Sequence, residues 1–80
     1  MAFFVYMLRC SDGSLYTGYT SNLERRLEEH KSGRGSRYVR SRLPVYLVHV
    51  EGFTCRGDAM RREREIKKLS RKEKNKLVGS

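Results

Sequence analysis

Apolar side chains crowd the start of the chain and thereafter come in short, separated bursts. Phe3-Phe4-Val5-Tyr6-Met7-Leu8 and Leu15-Tyr16-Thr17-Gly18-Tyr19 are strand-length runs rich in aromatic and β-branched residues, and Ser11-Asp12-Gly13 between them is a strong hairpin signal. Strands over residues 3–9 and 14–19 follow, with Tyr6 and Tyr16 each an even number of positions from their neighbours on one face. The period then changes. Leu23 and Leu27 stand four apart, Ser21-x-x-Glu24 reads as a capping box and Gly33 as the stop beyond the last turn, which predicts a helix over 22–32. Lys31 to Pro44 reads as a loop. Val45-Tyr46-Leu47-Val48-His49-Val50 is apolar on both alternations, which predicts the best-covered strand of the sheet, starting after Pro44. A second helix opens at Thr54 or Asp58 and runs to Leu69, and Ser70-x-x-Glu73 caps a short final one. The order β-β-α-β-α-α is that of a small α/β (α+β) layer domain, a three-stranded, mainly antiparallel sheet flanked by helices. Its 80 residues are expected to form one domain, 1–80.

Both longer helices put charge where the period asks for apolar side chains. Leu23, Arg26, Leu27 and His30 share one arc of the first helix, while Glu24, Arg25, Glu28 and Glu29 take the rest. Arg26 therefore either covers apolar surface with its stem or needs a partner, and His30 either sits at the helix end or serves a site. Ala59, Met60, Ile66 and the stem of Lys67 line one side of the second helix, and Glu63 projects from the middle of it. A carboxylate there is either the ion-pair partner of an arginine such as Arg26 or a ligand for a hard divalent metal.

Charge narrows the list of partners. The chain carries a net +9, and it is lopsided: residues 1–30 hold three basic and four acidic side chains, residues 31–80 fifteen and five. Such asymmetry points to a polyanion, nucleic acid first, and Arg34, Arg37, Arg40 and Arg42 lie in a stretch without an acid, as phosphate contacts would. Cys10 and Cys55 have no metal-ligand spacing and are expected to be buried free thiols, with no disulfide-linked partner. No signal peptide or membrane span is legible, so a cytoplasmic protein with no membrane partner is expected.

Collected in order, Tyr6, Tyr16, Gly18, Arg26, His30 and Glu63 resemble the motif of the GIY-YIG nuclease domain over residues 3–70, and the chain is similar to its small single-domain bacterial members. Phe4-Val5-Tyr6 stands for the first triplet and Tyr16-Thr17-Gly18 for the second, so Phe4, Val5 and Thr17 depart from the naming residues while both tyrosines and the glycine remain. No asparagine closes the motif at a placed position. The resemblance implies a divalent-metal-dependent endonuclease acting on nucleic acid, DNA ahead of RNA, in repair or processing. It implies Glu63 as ligand of a single Mg²⁺ or Mn²⁺, Tyr6 as general base, Tyr16 as a positioner of water or phosphate, Arg26 as a stabiliser of developing charge, and His30 as orienter of the proton. Arg34, Arg37, Arg40, Arg42 and Lys67 would contact the nucleic acid. A non-catalytic nucleic-acid-binding module on the same fold is the alternative.

Overall fold

The computed structural model describes residues 2–79. Three strands, β1 (Phe3–Arg9), β2 (Leu15–Thr20) and β3 (Tyr46–Phe53), form an antiparallel sheet in the order β2-β1-β3. The first burst of apolar residues is therefore the central strand, and Val5, Tyr6, Met7 and Leu8 are all buried because both faces of β1 are covered. This reverses one expectation from the sequence. β3 is an edge strand, its Tyr46, Leu47 and Val50 are exposed, and its double-sided apolarity does not reflect double-sided cover. The β1–β2 turn is closed by Gly13, whose φ of 85° suits a residue without Cβ and whose N–H donates to the Cys10 carbonyl.

Four helices clothe the sheet: α1 (Leu23–Lys31), α2 (Arg37–Arg40), α3 (Arg56–Lys67) and α4 (Arg71–Leu77). On one face Tyr6, Leu8, Cys10, Val39 and Val45 form a core with Leu23 and Leu27 of α1. On the other, Val5, Met7, Ala59 and Ile66 form a second core beneath α3. The cap of α1 is Asn22 rather than Ser21: its side-chain oxygen accepts from the Arg25 N–H at 3.1 Å, and Gly33 follows the last turn at φ 82°. The Ser70–Glu73 capping box is present at α4. The stretch expected to be loop contains α2, a single turn capped by Ser36 that buries Val39, a signal too short for helical periodicity to reveal. α3 starts after Cys55, which supplies no side-chain cap and leaves its thiol exposed, so only Cys10 of the two free cysteines is buried as expected. Among the described residues no helix is long and apolar enough to cross a membrane.

Candidate active site

Register brings the two tyrosines together. On β1 Tyr6 lies opposite Gly18, and Leu8 opposite Tyr16, so both phenol rings rise from the same face of the hairpin with centroids 6.5 Å apart. Gly18 is the seat of Tyr6. A Cβ at this position would lie 2.6 Å from the Tyr6 hydroxyl and 2.8 Å from Cζ, so only glycine lets the ring lie flat over β2.

Helix α1 then delivers two side chains one turn apart. Tyr6 Oη and His30 Nε2 are 2.8 Å apart in a buried hydrogen bond, and the His30 ring is fully buried. The Tyr16 ring meets it edge-on at 5.3 Å. Arg26 Nη1 donates to Glu29 Oε1 at 3.1 Å and Nη2 donates to the Gly35 carbonyl at 2.9 Å, and the guanidinium lies near enough to the Tyr6 phenol to act on its ionisation. Arg26 does not pair with Glu63. Its partner is Glu29, three residues on along the same helix, and both side chains keep about a third of their surface open. Gly35 holds the other side of the site: a Cβ there would overlap the His30 ring at Nδ1, the one buried side-chain polar atom without a hydrogen-bond partner among the described residues.

Burial sets the protonation states. It pushes the Tyr6 phenol up to about 12, and the nearby Arg26 guanidinium only partly offsets it, while Tyr16 and Glu63 add to the rise. His30 moves the other way, held below the ordinary histidine value of 6.5 by burial and then by the Arg26 charge. The pair is thus a neutral phenol on a neutral imidazole. Because the unfolded chain binds a proton at His30 more readily than the folded one, the His30 contribution to stability is complete above about pH 6.5 and is lost as pH falls through the folded value. Melting temperature should therefore already fall between pH 7 and about 5, before the carboxylates Glu29 and Glu51, which are depressed by their arginine partners, begin to titrate. The slope in that window should flatten in His30→Gln. An unchanged slope would remove His30 from the account.

Residues 2–77 match the family description "GIY-YIG catalytic domain". The chain belongs to the GIY-YIG family. It is 56% identical over 75 residues to a UPF0213 protein of Natronomonas pharaonis, covering 94% of this chain and 88% of that one. It is 49% identical over 75 residues to a UPF0213 protein of Staphylococcus haemolyticus, covering 94% and 92%. The solution NMR structure of a UPF0213 protein from Bacillus halodurans superposes with a TM-score of 0.65 at 49% identity, over 98% of this chain and 83% of that one. That of a protein from E. faecalis gives 0.67 at 44% identity, over the same shares.

In this GIY-YIG domain the metal question rests on one carboxylate. Glu63 stands on α3 with its side chain 18% exposed, close enough for its charge to act on Tyr6, and its Oε2 is 3.5 Å from Lys67 Nζ. Among the described residues no three His, Cys, Asp or Glu side chains gather as a ligand set. Such a donor set does not fit an all-protein cage. It does fit a hard divalent cation that keeps most of its waters and takes phosphate oxygens from a substrate.

The basic residues divide. Arg34, Arg37 and Arg40 are exposed around α2, and Lys67 is half-exposed beside Glu63. Arg42 is instead engaged by Asp12, with Nε donating to Oδ2 at 3.0 Å, and by the ring of Tyr38. Glu29, Gly35 and Tyr38 escaped the sequence reading. Only Glu29, at helical spacing from Arg26, carried a legible signal.

Proposed function

We propose that the whole chain acts as one metal-dependent endonuclease domain that hydrolyses phosphodiester bonds in nucleic acid, with DNA preferred to RNA. The observation that supports this best is the buried Tyr6–His30 hydrogen bond above Gly18, with Arg26 and Glu63 near enough for their charges to act on the same phenol. Hydrolysis needs an acceptor for the proton of the attacking water and donors for the charge that grows on the phosphate. A phenol at about 12 does not take that proton unaided. The neutral His30 beside it can: as the Tyr6 oxygen receives a proton from water, its own passes to Nε2 across the 2.8 Å contact. Arg26, fixed by Glu29 and Gly35, keeps further N–H groups for the phosphate oxygens. The Tyr16 hydroxyl would orient water or phosphate. Glu63 would hold Mg²⁺ or Mn²⁺, and such an ion, when bound, supplies charge neutralisation and a more acidic water.

A non-catalytic nucleic-acid-binding module is the second reading. The observation in its favour is that burial keeps Tyr6 a neutral phenol and Lys67 already answers Glu63. Both readings require electrostatic binding. Affinity for a short duplex should fall steeply between 50 and 200 mM salt, and Arg37→Ala or Arg40→Ala should each reduce the log–log slope by about 1. Affinity that is flat with salt would remove the phosphate contacts from either reading. Cleavage separates the two: branched, nicked and single-stranded substrates incubated with Mg²⁺ should be cut by the wild type and not by Tyr6→Phe. No cutting of any of them would leave the binding module.

A further inference from the structure

Arg42 looks like a phosphate contact in the sequence and is something else in the fold. Its guanidinium lies flat on Tyr38, Cζ 3.8 Å from the ring centroid. Tyr38 also stacks on Tyr16, centroids 5.9 Å apart and planes inclined by 29°. Two nitrogens of the guanidinium are also tied, by three hydrogen bonds: Nε donates to Asp12 Oδ2 at 3.0 Å, and Nη1 donates to the Tyr38 carbonyl and to Ser41 Oγ, each at 3.0 Å. The Ser11 N–H donates to the Arg42 carbonyl at 2.9 Å, so backbone and side chain dock the end of α2 onto the β1–β2 turn together. Asp12 is itself held by the Ser14 N–H and hydroxyl, at 3.0 and 2.6 Å.

We infer that Asp12, Arg42 and Tyr38 form a clasp that positions the Tyr16 ring. Tyr38 keeps 38% of its surface exposed but is engaged by Arg42 and by Tyr16 at once, which links the two. Tyr16 in turn rests edge-on against His30, so the clasp extends in a line from the hairpin turn, through two stacked rings, to the buried imidazole. None of the three residues touches the reacting atoms. They are positioning residues acting through Tyr16, and their catalytic arm rests on the nuclease reading above.

Arg42→Lys distinguishes this from phosphate contact in one substitution. Lysine keeps the positive charge and can still reach a phosphate or Asp12, but it lacks the planar group that stacks on Tyr38. The clasp predicts that Arg42→Lys lowers kcat by about tenfold or more with KM and the salt slope of binding unchanged, the loss expected when a site group is displaced by a fraction of an ångström. Tyr38→Phe should recover most of the turnover lost in Tyr38→Leu, because the stack needs the ring and not the hydroxyl. Independently of turnover, the Tyr16 ring resonances should shift in Arg42→Lys and in Asp12→Asn, which spares the Ser14 contacts while removing the charge that holds Arg42. If Arg42→Lys turns over like wild type and leaves the Tyr16 ring unmoved, the clasp is wrong. If Arg42→Ala lowers the salt slope by about one unit, Arg42 is a phosphate contact and the clasp is likewise wrong. Should the wild type cut no substrate at all, the nuclease reading fails, and the ring shifts and salt slope alone decide the clasp.

Discussion

Arg26→Ala is expected to lower phosphodiester cleavage by about 10²–10³-fold while the protein stays folded, the effect of removing one pre-positioned donor from a developing oxyanion. The fold should tolerate it because Arg26 is not a buried charge whose loss strands another. Its carboxylate partner, Glu29, is about a third exposed and can hydrate, and Arg25 also approaches it at 3.7 Å. The lost hydrogen bonds to Glu29 and to Gly35 should cost about 1–2 kcal/mol, several degrees of melting temperature in a domain of this size. Arg26→Lys should restore stability better than activity, since a lysine lacks the forked donors that meet Glu29 and Gly35 and still leave N–H groups for a phosphate. A large fall in melting temperature with cleavage retained would make Arg26 a structural residue.

Gly35→Ala should be the most destabilising single methyl in the chain. Its Cβ would overlap the fully buried His30 ring, and neither side can yield: His30 is held by Tyr6, and the Gly35 carbonyl by Arg26. Overpacking of this kind costs about 2–3 kcal/mol, or roughly 10–20 °C in a chain of 80 residues. Gly57→Ala on α3 is the control, since nothing lies within 4 Å of the new Cβ and a helical alanine should gain about 0.5–1 kcal/mol. Thermal denaturation of the two variants side by side checks both. Equal melting temperatures would mean that the Gly35–His30 contact is not as tight as described.

Much of this site is written in local sequence, because its chemistry sits on regular elements. Period two placed Tyr6 and Tyr16 on one face of a hairpin, and period 3.6 put Arg26 and His30 on the inner stripe of α1. Both are properties of neighbours in the chain. What the sequence could not supply were contacts between distant segments. Gly35 is 5 residues beyond His30 in an apparently featureless basic loop, and Arg42 finds Asp12 across 30 residues. Nothing in composition distinguishes that arginine from Arg37 or Arg40, which stay in solvent. β3 departs from its expected cover for a related reason: apolar alternation on both faces measures what a strand could bury, while its place in the order β2-β1-β3 decides what it does bury. Glu63 stands out in the sequence as a carboxylate on an apolar stripe; in the fold its side chain is 18% exposed, and its ion-pair partner is Lys67, one turn on, and not an arginine from α1.

The central claim is that Tyr6, His30, Arg26 and Glu63 form one metal-dependent hydrolytic site. It is tested most directly by Mg²⁺ titration of wild type and Glu63→Gln in the presence of nucleic acid, following the ring and guanidinium resonances of Tyr6, Tyr16 and Arg26 together with cleavage in the same samples. The account predicts ion-dependent shifts at all three residues and Mg²⁺-dependent cutting in the wild type. It predicts neither in Glu63→Gln, whose metal-free stability should be unchanged or slightly higher because the carboxylate is 18% exposed with a single lysine partner. Wild-type resonances that do not move at millimolar Mg²⁺ or Mn²⁺, or cleavage that survives in Glu63→Gln, would contradict it.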